Sequence, residues 1–202
     1  EALSDSPIQC GAQTISEYTH GAYTGEISGK MIRAIGCSIT LIGHSERRHI
    51  FNETNSTINT KVKQALSQNF TVILCIGETL NERNTHQTES ILATQLSEGL
   101  SNIDSLSNVI IAYEPVWAIG TGQTATPEQA ESAHSFIQSH LHTLFPNKPA
   151  PPLLYGGSVT PDNIASLIEQ PHVNGVLVGG ASLKSDSFVK IIQTCQAQTV
   201  SG

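Results

Sequence analysis

Six short apolar runs, unbroken rather than alternating, constrain the fold of this chain more than any other feature. They are Ile8 to Gln13, Ser38 to Gly43, Thr71 to Ile76, Val109 to Glu114, Leu153 to Gly156 and Gly175 to Gly179. A strand reads this way when both of its faces are covered, as in a parallel sheet wrapped by helices. Segments with helical spacing lie between the runs, at Glu26 to Ala34, Thr57 to Gln68, Thr85 to Leu100, Pro161 to Glu169 and Ser187 to Gln196. The clearest opens at Thr126, a hydroxyl N-cap followed by Pro127 and, three residues on, by Gln129, which spells a capping box. Ala130, Ala133, Phe136, Ile137, Leu141 and Leu144 then share one face. Six strand-then-helix units with no hairpin between them predict α/β architecture with a parallel sheet, because crossovers are right-handed. Periodicity leaves two closures open, an eight-unit barrel and a doubly wound sheet.

Composition narrows the partners. Ten Lys and Arg stand against 17 Asp and Glu in 202 residues, a formal charge of −7, and no basic cluster interrupts the chain. The electrostatic footprint of a nucleic-acid or anionic-membrane partner is missing. No apolar run approaches the roughly 18 residues that span a bilayer. Cys10, Cys37, Cys75 and Cys195 form no C-x-x-C pair and read as reduced thiols of a cytoplasmic protein. No linker or repeat divides the chain, so residues 1–202 read as one domain.

Four features sit at strand carboxyl ends, where a parallel sheet presents its chemistry. They are Gly43-His44-Ser45-Glu46-Arg47-Arg48, the segment from Ala112 through Glu114-Pro115 to Gly122, Tyr155-Gly156-Gly157-Ser158, and Leu177-Val178-Gly179-Gly180-Ala181-Ser182. One Gly-Gly pair is a turn. Two pairs at successive strand ends, the second followed by a helix starting just after Gly180, offer backbone amides and a helix dipole to a phosphate dianion. Phosphate held after the last two strands is a recurrent barrel feature and favours the barrel. Glu114 closes an otherwise apolar strand near Trp117, Ile119 and Leu177, where desolvation would raise its pKa toward that of a useful base. His44, if it opens a helix, is kept neutral by the dipole and can donate to a developing oxyanion.

These four segments resemble the signature segments of the triosephosphate isomerase family, and the similarity runs from Ile8 to the C-terminal helix. The resemblance implies a TIM (β/α)8 barrel that interconverts dihydroxyacetone phosphate and glyceraldehyde 3-phosphate through an enediolate, with no metal or organic cofactor. Glu114 matches the family's base, His44 its neutral electrophile, and Glu46 an acid near both. Residues 115–125 match the mobile lid. Gly120, Ser158, Gly179 and Gly180 match the donors to the substrate phosphate, and Ile119 and Leu177 the apolar clamp over the base. The loop from Gln13 to Glu26 matches one whose Thr24 reaches a neighbouring subunit, which implies a homodimer.

Departures from the family pattern are also expected to matter. Gln123 stands where the lid usually has Lys, and Thr14 where Asn is usual. Barrels of this kind run to roughly 250 residues, so about one fifth is expected to be missing before Ile8, leaving six of eight units. The family's first-strand Asn and Lys have no counterpart. Asn59-Thr60-Lys61 is the nearest decoy, but Val62, Ala65 and Leu66 make it part of a helix face. The chain is thus expected to be an N-terminally truncated form, impaired without that Lys. The alternative is a non-catalytic phosphate-binding remnant of the same fold.

Overall fold

The computed structural model describes residues 3, 5–119 and 123–200. Six strands follow one another along the chain, β1 (Gly11–Ala12), β2 (Ile39–Ile42), β3 (Thr71–Ile76), β4 (Val109–Tyr113), β5 (Leu153–Tyr155) and β6 (Gly175–Val176). All five pairings are parallel, and the spatial order is β1-β2-β3-β4-β5-β6. The order decides between the two closures. A doubly wound sheet reverses its strand order at a switch point, whereas right-handed crossovers in unbroken succession put every helix on one side and curl the sheet toward a barrel. The described strands therefore form an arc of the expected TIM barrel, six units long.

The helices are α1 (Gly29–Ala34), α2 (Ser45–His49), α3 (Asn55–Ser67), α4 (Leu80–Asn84), α5 (Thr88–Gly99), α6 (Pro127–Leu144), α7 (Ile164–Ile168) and α8 (Ser185–Val200). Their apolar stripes build the core. Ile58, Val62 and Ala65 of α3, Leu92 and Leu96 of α5, and Ala130, Ile137 and Leu141 of α6 pack with Val72, Leu74 and Ile111 of the sheet, all essentially without solvent contact. Burial on this scale, not strand length, holds the arc together. Among the described residues no helix is long and apolar enough to cross a membrane.

Several boundaries depart from the sequence reading. The first run pairs only over two residues, because β1 is a sheet edge with one neighbour and Ile8 is 62% exposed. The last run likewise pairs only at Gly175 and Val176. The helix expected from Thr85 to Leu100 is α5, Thr88–Gly99, and a separate short helix, α4, precedes it. Thr79 and Glu82 make a capping box that starts α4, and His86 at φ 56° breaks the path before α5. The expected box at Thr126 is present, with Thr126 Oγ1 accepting from the Gln129 N–H at 3.2 Å and Gln129 Oε1 accepting from the Thr126 N–H at 3.0 Å. Loss of one orphan-donor partner at a long core helix has a known scale. Thr126→Ala is expected to lower stability by about 1 kcal/mol without moving the fold, measured by urea unfolding.

Candidate active site

The register of the sheet sets the site. Ile76 pairs with Tyr113, Tyr113 with Tyr155, and Tyr155 with Val176. The next residue on each strand thus falls in one row: Gly77, Glu114, Gly156 and Leu177. The row is stitched by Glu114 N–H to Ile76 O at 2.7 Å, Gly156 N–H to Tyr113 O at 2.7 Å and Leu177 N–H to Tyr155 O at 2.9 Å. Gly77 is needed there for space, since a Cβ at this position would collide with the Glu114 backbone carbonyl. A cleft of about 730 Å³ opens over the row. His44, Glu46, Glu114, Ile119, Ser158, Leu177, Gly179 and Gly180 all line it, so the residues singled out from sequence converge. Gly120 lies outside the described residues. Thr24 is exposed on the 13–26 loop, away from the cleft, next to the stacked pair Tyr18 and Tyr23.

Glu114 is only 2% exposed, and its carboxylate meets the Ser45 backbone, the His44 ring and the Cys75 thiol. Oε2 accepts from the Ser45 backbone N–H at 2.9 Å, and Oε1 meets His44 Nε2 at 3.0 Å. Burial pushes the Glu114 carboxyl up to about 7, against the opposing pull of the Ser45 N–H and the Arg48 guanidinium. His44 is the N-cap of α2, and its Nδ1 accepts the Glu46 backbone N–H at 3.3 Å. In the neutral ring the proton then belongs on Nε2, the atom that faces Glu114. Burial lowers the His44 pKa, although Glu46 pulls the other way, so the uncharged ring is favoured. Glu46 itself stands at the cleft rim, its side chain 68% exposed.

Gly43 delivers His44 to this place. It turns the chain at φ 76°, and a Cβ there would press on Cys75 O at 3.1 Å and on Arg48. Arg48 fastens the same corner by donating to Gly43 O at 2.7 Å, Cys75 O at 2.9 Å and Asn55 Oδ1 at 2.7 Å.

Sequence reasoning gave Arg48 no role of its own and missed Gly77 and Glu78. The last is wholly buried, and its Oε1 accepts from Tyr113 Oη at 3.1 Å, Trp117 Nε1 at 3.0 Å and Arg83 at 3.1 Å. Glu78 O also takes the Val116 N–H at 3.1 Å. The start of the 115–125 segment is thereby moored to the end of β3, as one 3₁₀ turn over Val116–Ala118. A signal was available: Gly77-Glu78-Thr79 repeats, one strand on, the glycine, titratable residue and hydroxyl of Gly43-His44-Ser45.

One expectation is corrected. The helix after Gly180 is a single 3₁₀ turn, Gly180–Leu183, and α8 begins only at Ser185. The long helix dipole therefore does not start at the glycine pair. What remains there is open backbone, because a Cβ on Gly179 or Gly180 would meet nothing within 4 Å. Across the cleft mouth, Asn163 fixes the Ser158 loop by donating to Ser158 O at 3.0 Å and accepting from the Thr160 N–H at 2.8 Å. Lys61 does not line the cleft; it sits on α3, paired with Glu53 at 2.6 Å, and Glu53 also holds Arg47 at 2.7 Å. Among the described residues no group of three or more His, Cys, Asp or Glu comes together that could hold a metal ion.

The buried carboxyl makes a stability prediction. Between about pH 4.5 and about 7 the folded state keeps a proton on Glu114 that the unfolded chain has released, so this group lowers stability as pH rises through that window. Glu114→Gln is expected to match the parent near pH 4 and to exceed it by up to about 3 kcal/mol at pH 8, measured by urea melts across that range.

The comparisons with known proteins agree with one another. A family model described as triosephosphate isomerase matches residues 1–195. The triosephosphate isomerase of Chlorobium phaeobacteroides (strain BS1) is 48% identical over 192 residues, covering 94% of this chain and 77% of that one. That of Chlamydia trachomatis serovar D is 50% identical over 195 residues, covering 96% and 71%. A crystal structure of triosephosphate isomerase from Bartonella henselae superposes with a TM-score of 0.90 at 38% identity, covering 96% of this chain and 80% of that one.

Proposed function

The chain belongs to the triosephosphate isomerase family, and from that premise we propose that its cleft interconverts dihydroxyacetone phosphate and glyceraldehyde 3-phosphate by cofactor-free proton transfer. The roles are the family's known ones. The Glu114 carboxylate takes the proton from the carbon beside the carbonyl and returns it to the neighbouring carbon. His44 donates its Nε2 hydrogen to the oxygen on which charge develops, and the enediolate is neutralised without an imidazolium. Glu46 contributes a negative charge at the rim. Ser158, Gly179, Gly180 and Gly120 receive the phosphate, while Ile119 and Leu177 cover the base and keep water out.

The single observation that carries this reading is the contact of Glu114 Oε1 with His44 Nε2 at 3.0 Å, base and electrophile meeting in a buried corner of an otherwise open cleft. At that spacing no substrate atom fits between them, so substrate must part the pair and take both hydrogen-bonding groups for itself. A carboxyl poised at about 7 suits the task, being neither too weak to accept a carbon acid's proton nor too strong to give it back. The partners that follow are a small phosphorylated triose and a second copy of the chain contacted through Thr24, in a cytoplasmic setting. Residues 1–202 act as one partial-barrel domain.

One feature favours the second reading, a phosphate-binding protein with little or no turnover. Among the described residues, Arg47 is the one Lys or Arg that lines the cleft, and its Nε is already held by Glu53. The cation that would offset a phosphate dianion facing Glu114 is therefore weakly supplied, and turnover of the 202-residue chain is expected to be impaired.

A coupled assay of triose phosphate interconversion, paired with calorimetric titration of a phosphate ester, separates the readings. Turnover should rise with pH through about 7 as Glu114 ionises and should fall roughly a hundred- to ten-thousand-fold in Glu114→Gln, with ester binding retained. Ester binding without any Glu114-dependent turnover would establish the second reading instead.

A further inference from the structure

Away from the cleft, two thiols meet. Cys10 precedes β1 and is exposed; Cys37 lies two residues before β2 and is buried. Their sulfurs are 3.3 Å apart, with the Cys37 thiol donating to Cys10. A disulfide bond is about 2.05 Å long, so this is a reduced pair separated by little more than a small rotation of each side chain. The backbone holds them in place. Gly11 pairs with Ile39 and Ala12 with Thr40, and the Cys37 N–H donates to Ile32 O at 3.3 Å. The other two cysteines are differently placed: Cys75 is fully enclosed in β3, and Cys195 is half-buried on α8.

We propose that Cys10 and Cys37 are a reversible redox pair that closes to an intrachain disulfide when a small-molecule disulfide such as glutathione disulfide attacks from solvent, Cys10 reacting first and Cys37 resolving. The division of roles follows from exposure and from the direction of the hydrogen bond. Of the two, only Cys10 is open to a bulky oxidant, and the Cys37 thiol is already engaged as the donor to it. The hydrogen bond to Cys10 and burial both push the Cys37 thiol up, which keeps it protonated until Cys10 has reacted. In the first step the Cys10 thiolate attacks one sulfur of glutathione disulfide, a new S–S bond forms, the old one breaks, and a glutathione thiolate leaves and takes up a proton. In the second, Cys37 loses its proton to solvent and attacks the Cys10 sulfur, and the second glutathione leaves in the same way. The protein gives up two electrons and two protons, and one glutathione disulfide becomes two glutathiones.

The bridge would act where the sheet is weakest. β1 is held by two paired residues alone, and the segment from 10 to 37 carries it together with the exposed Tyr18 and Tyr23 loop and α1. Closing that segment covalently ties the edge strand to β2 and restricts the unfolded chain.

The test treats the purified protein with glutathione disulfide, quenches in acid, alkylates remaining thiols with N-ethylmaleimide and reads intact mass and non-reducing peptide maps. The expected product lacks two hydrogens of the reduced protein and, once unfolded, takes up maleimide on Cys75 and Cys195 alone, where the reduced protein takes it up on all four cysteines. It should join the Cys10 and Cys37 peptides, melt at a higher temperature and revert with dithiothreitol. Cys37→Ser should instead stop at a stable glutathione adduct on Cys10, and Cys10→Ser should leave Cys37 free. A wild-type protein that remains unmodified, retains glutathione on Cys10, or links through Cys75, Cys195 or another chain overturns the proposal. The wild-type map decides alone should a variant fail to fold.

Discussion

Everything at the cleft depends on one enclosed carboxylate. Glu114 has almost no contact with water, yet it is not neutralised by an ion pair of the ordinary kind; it leans on a backbone N–H, a neutral imidazole and the Cys75 thiol. Full pairing with a cation would quiet it, and free hydration would return it to ordinary acidity. The compromise leaves a carboxyl balanced near neutrality. Arg48 tempers the cost of burial from one layer behind, where its guanidinium is committed to the carbonyls of Gly43 and Cys75 and cannot reach out to close a salt bridge.

That balance is a product of sheet register. A shift of one residue between β3 and β4 would replace Glu114 in the row by Pro115 or Tyr113 and point the carboxylate at the opposite face. Gly77 enforces the close approach by having no side chain, and Gly43 turns His44 back over the same point. Glu78 secures the other flank by gathering Tyr113, Trp117 and Arg83 on a single oxygen, which fixes where the chain leaves β4. The ends of β2, β3 and β4 thus act together although they lie far apart in sequence.

The sequence carried much of this, unevenly. Apolar runs announced a parallel sheet because burial on both faces demands continuous hydrophobicity, and the capping box at Thr126 located a helix start by its own chemistry. Glu114 and His44 were legible because a charge and an imidazole at the ends of apolar strands need a reason. Gly77 was not, since its role is the absence of an atom where another strand passes, and that depends on register. Glu78 was hidden for a related cause: its three partners come from 5, 35 and 39 residues away. Edge strands were overestimated because hydropathy reports what could be buried, whereas pairing needs a neighbour. A helix was expected directly after Gly180 because a 3₁₀ turn and an α-helix share their opening residues.

The sheet distributes stiffness unequally along this row. Pairing is richest between β3 and β4, over five registered residues, and falls to two at either end. Glu114 therefore rides on the most densely paired girder of the frame and His44 on the strand beside it, while the glycine loops after β5 and β6 hang from its sparsely paired rim. On the function proposed above, chemistry that tolerates almost no positional error is set apart from recognition that must admit and release a guest.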